Sequence, residues 1–94
     1  RLDAQAMRHL QFMVFEAISN VLQHAQATWL RIEAVPAGQG GRLRILDNGR
    51  GFDVAAPPRK GLVSLRERAQ AIGAQLRIES APGRTLVEVL VPGG

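Results

Sequence analysis

The chain contains no cysteine and no tyrosine, and its aromatic side chains are limited to one tryptophan and three phenylalanines. Without cysteine it has no disulfides and no thiolate metal sites, which is compatible with a reducing cytoplasm but does not require one. So few aromatic rings leave little surface for stacking nucleic-acid bases. The apolar runs fall far short of the roughly 20 residues that a membrane-spanning helix needs. We therefore expect a soluble chain without direct membrane contact.

The length and charge of the chain limit what it can be. Ninety-four residues suffice for one domain with a single core but not for two lobes. Twelve Lys and Arg against eight Asp and Glu give a formal net charge of +4, which attracts phosphates or acidic partners. Because position 1 is arginine, we expect the chain to be a fragment of a longer protein.

Apolar periodicity and turn residues predict the order helix, two strands, loop, helix, two strands. The predicted elements are one long helix (4–25), a strand (27–35), a turn (36–41), an antiparallel strand (42–47), a loop (48–60), a helix (62–72) ended by Gly73, and strands at 75–80 and 85–91. This order predicts an α+β fold: a two-layer α/β sandwich with helices on one face of a mainly antiparallel, mixed sheet.

Three common ligand motifs are absent. Gly49 and Gly51 lack both the third glycine and the helix that a dinucleotide-binding G-x-G-x-x-G motif requires, and strict β-α-β alternation is missing. No G-x-x-x-x-G-K-[ST] phosphate loop occurs. An EF-hand is excluded because the same two glycines stand where oxygen ligands are needed.

Residues 47–53 (DNGRGFD) place a carboxylate at the end of an apolar strand and follow it with two spaced glycines. We expect Asp47 to lie where the buried strand meets a loop, with glycines that let the backbone approach a ligand. That arrangement suits a nucleotide site. It is equally good chemistry for an ordinary strand-ending turn, and the segment alone does not decide between the two.

Glu16, Asn20 and His24 are four positions apart, so they share one stripe of the predicted helix, about 6 Å from one to the next. Asn20 can give a carbonyl oxygen to magnesium, and Glu16 can orient or deprotonate a nucleophile through water. Ser19 and Gln23 make this side of the helix generally hydrophilic. A solvated helix face is therefore the alternative interpretation.

Together these segments resemble the Bergerat-fold ATPases, the superfamily of gyrase, Hsp90, histidine kinases and MutL. The similarity is greatest to the ATP-binding catalytic domain of sensor histidine kinases of the nitrate-sensor and DesK-like type. The matching segments are the asparagine box at 15–25 (FEAISNVLQHA), the first glycine box at 47–52 (DNGRGF), the second glycine box at 61–69 (GLVSLRERA), and the C-terminal strands at 76–83 (LRIESAPG) and 87–92 (VEVLVP). The resemblance runs from about Met7 to Pro92.

The resemblance implies ATP and Mg²⁺ as ligands and assigns roles to the matched residues. Asp47 accepts a hydrogen bond from the adenine amino group, which disfavours guanine, and Thr85 supports adenine through water. The other implied roles are backbone approach at Gly49 and Gly51, magnesium binding at Asn20, catalysis at Glu16 and Asn20, and phosphate contacts at His24, Lys60, Gly61 and Leu62. Arg59 stands where the family usually has a glycine, which predicts a less mobile lid.

The implied function is donation of the ATP γ-phosphoryl group to a histidine on a separate dimerisation domain, and from there to a response regulator, in the cytoplasm. His9 is not that acceptor, because it lies eleven residues before Asn20 on the same helix, about 16 Å away. One alternative is a serine kinase of the anti-sigma-factor type with the same fold, against which segment 65–69 (LRERA) argues. The other is a basic nucleic-acid-binding module, which the scarcity of aromatics disfavours.

Four further residues are expected to have no part in the site. Arg66 and Arg68 are predicted on the solvated face of the second helix. Trp29 is predicted to pack, and His9 to be exposed.

Overall fold

The computed structural model describes residues 4–38, 40–51 and 60–92. Its elements are α1 (Ala4–Asn20), a π-helical turn (Val21–Ala25), β1 (Leu30–Ala37), β2 (Gly40–Asp47), α2 (Lys60–Ala71), β3 (Gln75–Ala81) and β4 (Arg84–Val91). The predicted order of helices and strands is confirmed. No helix in the described ranges has the length and apolar character to cross a bilayer.

The four strands form one sheet in the order β1-β2-β4-β3, and each described pairing is antiparallel. The predicted α+β sandwich is confirmed, although the described strands contain no parallel pair. Alternate residues of a strand point to opposite faces. Val87, Val89 and Val91 of β4 therefore share one buried face, while Glu88 between them lies on the other.

The core lies between that sheet face and the two helices. Its buried members are Met13 and Ala17 of α1, Leu65 and Ala69 of α2, Ile45 of β2, and the three β4 valines. Burying a side chain of this size stabilises the fold by about 1.5–3 kcal/mol relative to leaving it in water. Both helices thus cover the same face of the sheet and hold it from one side.

The first helix differs from the single regular helix predicted over residues 4–25. Its α-helical part ends at Asn20, and the last five residues form a wider π turn that closes at Gln26 in the left-handed conformation, with φ +54°. Its buried residues are Met13 and Ala17, and not every apolar residue of the helix points inward. Met7 is 44% and Leu22 79% exposed, so apolar spacing identified the helix but not which apolar stripe faces inward.

β1 and β2 extend two residues further into their connection than predicted. Pro36, assigned to the turn by sequence, pairs within the ladder with Gly41. Proline removes one backbone donor, which an edge strand such as β1 tolerates because one of its sides has no strand partner in the sheet. Gly38, the residue that follows β1, has φ +62°.

α2 begins at Lys60, two residues earlier than predicted, and its end confirms the expected glycine cap. Gly73 has φ +68° and donates its N–H to the Gln70 carbonyl, while Ala74 donates to the Ala69 carbonyl. These two bonds form a Schellman motif that satisfies the last carbonyls of the helix.

Candidate functional site

A polar row crosses the sheet at the end of β2. Asp47 stands opposite Thr85 of β4, and Thr85 stands opposite Ser80 of β3. Residues opposite each other share a face, so all three side chains lie on the face that the helices cover. Asp47 is 3% and Thr85 6% exposed, and among the described residues they are the buried polar side chains. Burying such groups is costly unless hydrogen bonds compensate, which marks this row as a site rather than part of the apolar core.

The Asp47 carboxylate is held in one orientation by its own loop. Its Oδ1 accepts the backbone N–H of Gly49 at 2.8 Å, a local turn of the kind that Asp side chains form. An ionised carboxylate offers about four acceptor positions on its two oxygens. The Gly49 bond therefore orients the group and leaves it capacity to accept a hydrogen from a ligand.

Gly51 lies where the loop meets the connection between β3 and β4. Its φ is +76°, and a Cβ there would stand 2.7 Å from the Ala81 carbonyl oxygen and 2.8 Å from Ser80 Oγ. Nearby, the Gly49 carbonyl accepts the Gly83 N–H at 2.8 Å. The close backbone approach predicted here is seen against the protein's own chain. A ligand role for Gly49 and Gly51 stays a prediction.

Asn48, to which the sequence pattern assigned no role, ties the start of β1 to this loop. Its Oδ1 accepts the backbone N–H groups of Thr28 and Trp29 at 2.9 and 3.0 Å, and its Nδ2 donates to Thr28 Oγ1 at 2.6 Å. Segment 26–29 links the π turn to β1, so Asn48 couples the end of the first helix to the residue beside Asp47. These three hydrogen bonds join residues that are 19 or 20 positions apart, so no local sequence pattern predicts them.

Glu16 and Asn20 lie one turn apart on α1, and both are half-buried. The predicted alignment along one stripe of the helix therefore holds for this pair. The π turn widens the helix directly after Asn20, and this disrupts the regular spacing from which His24 was predicted to continue the stripe. The side chain of His24 lies outside the described residues. No described hydrogen bond joins Glu16 or Asn20 to the Asp47 row.

The residues present fit a magnesium ion that is held mainly by its substrate. Asn20 has helical backbone angles and makes no side-chain cap to the turn that follows, so its amide oxygen is not used there. The described part of the chain contains no cluster of three or more His, Cys, Asp or Glu that would enclose a metal. Mg²⁺ commonly takes one or two protein oxygens and completes its shell with water and phosphates.

The first turn of α2 has the features of an anion site. Lys60, Gly61 and Leu62 begin the helix, and this turn contains no acidic residue. The first N–H groups of a helix have no partner within it, and the helix dipole adds partial positive charge there. Leu62 is partly buried against the core. The side chain of Lys60 and residues 52–59, which include Arg59, lie outside the described residues.

Arg68 joins the two helices, which corrects two of the sequence-based predictions. Its guanidinium carbon lies 4.2 Å from the centre of the Phe12 ring, and its Nη1 is 3.4 Å from Nδ1 of His9. Arg68 and His9 are therefore half-buried and not on a fully solvated face, whereas Arg66 is exposed as predicted. Trp29 is 48% exposed with Arg31 over its ring, so its predicted packing role is wrong as well.

Known proteins resemble this chain over almost its whole length. Sensor protein VraS of Staphylococcus saprophyticus is 42% identical over 87 residues, an alignment that covers 89% of this chain and 25% of VraS. Sensor histidine kinase LiaS of Bacillus subtilis is 38% identical, with 89% and 24% covered. The chain thus spans about a quarter of the length of these curated relatives.

Solved structures share the fold. The ATP binding domain of PrrB from Mycobacterium tuberculosis superposes with a TM-score of 0.77 at 28% identity, covering 93% of this chain and 69% of that one. A blue-light activated histidine kinase of Erythrobacter litoralis gives a TM-score of 0.84 at 23% identity, covering 97% and 31%. The profile of the family described as histidine kinase-, DNA gyrase B- and HSP90-like ATPase matches residues 5–93. The chain therefore belongs to that ATPase family.

Proposed function

We propose that this domain binds ATP with Mg²⁺ and forms the catalytic part of a sensor histidine kinase of the nitrate-sensor and DesK-like type. The observation that carries the proposal is the buried Asp47, oriented by Gly49 and paired across the sheet with Thr85. The family match supports ATP as the ligand, and the names of VraS and LiaS support the kinase class.

At the adenine end, Asp47 is the residue that selects the base. A carboxylate in a pocket with 3% exposure accepts a hydrogen bond from an exocyclic amino group, which adenine presents at its 6-position. Guanine presents a carbonyl oxygen there, so two acceptors meet without a proton between them. The Thr85 hydroxyl, directly opposite Asp47, is placed to support the base through water.

At the phosphate end, α1 and α2 supply different groups. When bound, Mg²⁺ neutralises charge on the phosphates as phosphoryl transfer requires. Asn20 contributes an oxygen to it, and Glu16, one turn earlier, orients or deprotonates the nucleophile through water. His24, Lys60 and the N–H groups of Gly61 and Leu62 hold the phosphates against the positive end of α2.

The phosphoryl acceptor is a histidine on a separate dimerisation domain, and a response regulator receives the group from it. The domain acts in the cytoplasm in this proposal. His9 is unsuited to the acceptor role because it is placed against Arg68 at the junction of the helices. The work of the domain is to position ATP, and positioning together with charge neutralisation provides most of the catalysis in such transfers.

Calorimetric titration of this chain with a non-hydrolysable ATP analogue and Mg²⁺ tests the proposal. We expect a dissociation constant between micromolar and millimolar, and weaker binding of the GTP analogue. Asp47→Asn keeps the shape but turns a donor toward the adenine amino group, so affinity should fall at least about tenfold, the equivalent of 1.4 kcal/mol. Glu79→Gln removes one carboxylate charge from the opposite sheet face and should leave affinity unchanged.

Two outcomes contradict the proposal. Absence of binding at millimolar ligand, with the fold intact by circular dichroism, removes the nucleotide function of this domain. Equal affinity of Asp47→Asn and the unaltered chain leaves nucleotide binding in place but removes Asp47 from adenine recognition.

A further inference from the structure

Ser80 is the third member of the polar row, and the proposed function gives it no role in nucleotide binding. It is the β3 member of the line that runs through Thr85 to Asp47. Its neighbours on the strand point to the other face, so within β3 Ser80 is the polar side chain that reaches the base-recognition end of the sheet.

A hydrogen bond links Ser80 to Thr85. The two hydroxyl oxygens are 2.7 Å apart, the usual distance for an O–H···O bond. Thr85 is 6% exposed and β-branched, so its side chain is stiff about χ1 and the rotation of its hydroxyl proton is the freedom that remains. Either hydroxyl can be the donor in this bond, and when Thr85 donates, the bond to Ser80 fixes that rotation.

The same Ser80 oxygen supports the loop that carries Asp47. A Cβ on Gly51 would stand 2.8 Å from Ser80 Oγ, which means that the Gly51 backbone already packs directly on the serine. One hydroxyl therefore contacts both the cross-strand partner of Asp47 and the backbone four residues after Asp47. Both contacts therefore help to set the geometry of the polar row to which a base would bind.

We propose that Ser80 is a specificity-determining positioning residue, which acts through Thr85 to make the site prefer adenine over guanine. This inference rests on the proposed nucleotide function. In this proposal Thr85 donates its proton to Ser80 and therefore presents only acceptor lone pairs to the base or to a bridging water. Released from Ser80, the hydroxyl rotates and can donate to the carbonyl oxygen of guanine, so the site discriminates less.

The test compares ATP and GTP analogues, each with Mg²⁺, by calorimetry in a double-mutant cycle of Ser80→Ala and Thr85→Val. A neutral hydrogen bond corresponds to roughly a 2- to 12-fold change in affinity. We expect Ser80→Ala to lower the ATP-to-GTP affinity ratio at least about threefold. In the Thr85→Val background, where the hydroxyl is gone, the same substitution should change the ratio no further. Glu79→Ala, the adjacent residue on the opposite face, controls for general weakening of β3 and should keep the original ratio.

An unchanged ratio in Ser80→Ala, or an equal fall in both backgrounds, overturns the role of Ser80 while the proposed function stands. Failure of the unaltered chain to bind either nucleotide overturns the proposed function, and this inference with it. If Ser80→Ala does not fold, Ser80→Cys keeps the shape with a weakly hydrogen-bonding thiol and is judged by the same ratio.

Discussion

At the scale of single residues, Gly51 has the least room for a side chain among the glycines compared in the described part of the chain. Its φ of +76° disfavours any side chain, and the atom that a Cβ would meet at 2.7 Å is the backbone oxygen of Ala81, which cannot rotate away. The loop after β2 can therefore pack closely on the β3–β4 connection because residue 51 has no Cβ.

Gly51→Ala should lower the free energy of unfolding by about 1–3 kcal/mol, because it adds a backbone clash to the strain of a positive φ. For a domain of this size each kcal/mol lowers Tm by about 4–8 °C, which thermal unfolding followed by circular dichroism resolves. Gly38→Ala is the matched control, since Gly38 has φ +62° but nothing within 4 Å of its Cβ position. Equal losses in the two variants would mean that the contact with Ala81 adds nothing.

A physical difference separates the residues that the sequence predicted from those that it did not predict. Asp47 was predicted from a local pattern, a carboxylate at the end of an apolar strand, and Thr85 from the family resemblance. Ser80 and Asn48 were missed because their roles come from partners brought close by strand register and by loop docking, which no local pattern shows. Arg68 was misplaced for the same reason, since its partners lie on the other helix.

At the scale of elements, the junction of α1 and α2 sets the relative position of the two helices that form the proposed phosphate end. α1 carries Asn20 and α2 begins at Lys60, so their relative position depends on the contacts between these helices. The Arg68 guanidinium over Phe12 is the charged contact among them. A cation over an aromatic face contributes about 0.5–1 kcal/mol at partly exposed sites.

Arg68→Met keeps an aliphatic stem on Phe12 but removes the charge and the contact with His9. We expect a loss of about 1–2 kcal/mol in the free energy of unfolding, measured by urea titration. Arg66→Met, two residues earlier and exposed, should stay within about 0.5 kcal/mol of the unaltered chain. A similar effect of both substitutions would show that Arg68 does not join the helices energetically.

Element boundaries show where periodicity stops being informative. Apolar spacing predicted both helices and all four strands, because burial on one face imposes a period on the sequence. It did not predict the π turn at Val21–Ala25, because widening the helix over five residues requires no change in the types of residue present. Nor did it place Pro36 inside a strand, because its position at the sheet edge becomes known only once the strand order is known.

At the scale of the whole molecule, five of the twelve Lys and Arg residues lie on the face of the sheet that the helices do not cover. That face carries Arg31, Arg42, Arg44, Arg77 and Arg84, together with Glu33, Glu79 and Glu88. Arg44 Nε lies 3.3 Å from Glu88, and the hydrogen bond from Arg77 lowers the pKa of Glu79. Exposed pairs of this kind contribute little to stability each. The net charge of the chain is thus weaker support for a nucleotide site than the polar row is.

Nucleotide binding should raise the stability of the whole domain. The Cα radius of gyration of 12.9 Å matches the roughly 13 Å of a compact domain of 100 residues, and one core joins both helices to the sheet, so we expect two-state unfolding. At a ligand concentration 100 times the dissociation constant, binding to the native state adds about 2.7 kcal/mol.

Thermal unfolding with a non-hydrolysable ATP analogue and Mg²⁺ should therefore show a Tm that rises with ligand concentration, by about 4–8 °C for each kcal/mol. The GTP analogue at equal concentration should give a smaller rise, and Asp47→Asn should need at least about tenfold more ATP analogue for the same rise. A Tm independent of both nucleotides would contradict binding to the folded domain.

The position of β1 at the edge of the sheet has a consequence for self-association. An edge strand presents backbone groups that a second chain can pair with, which is a common route to aggregation. Pro36 has no N–H to offer such a chain, and Arg31 and Glu33 place charge along the same short strand. The proline that sequence reasoning assigned to a turn thus helps to keep copies of this domain from polymerising through their open edges.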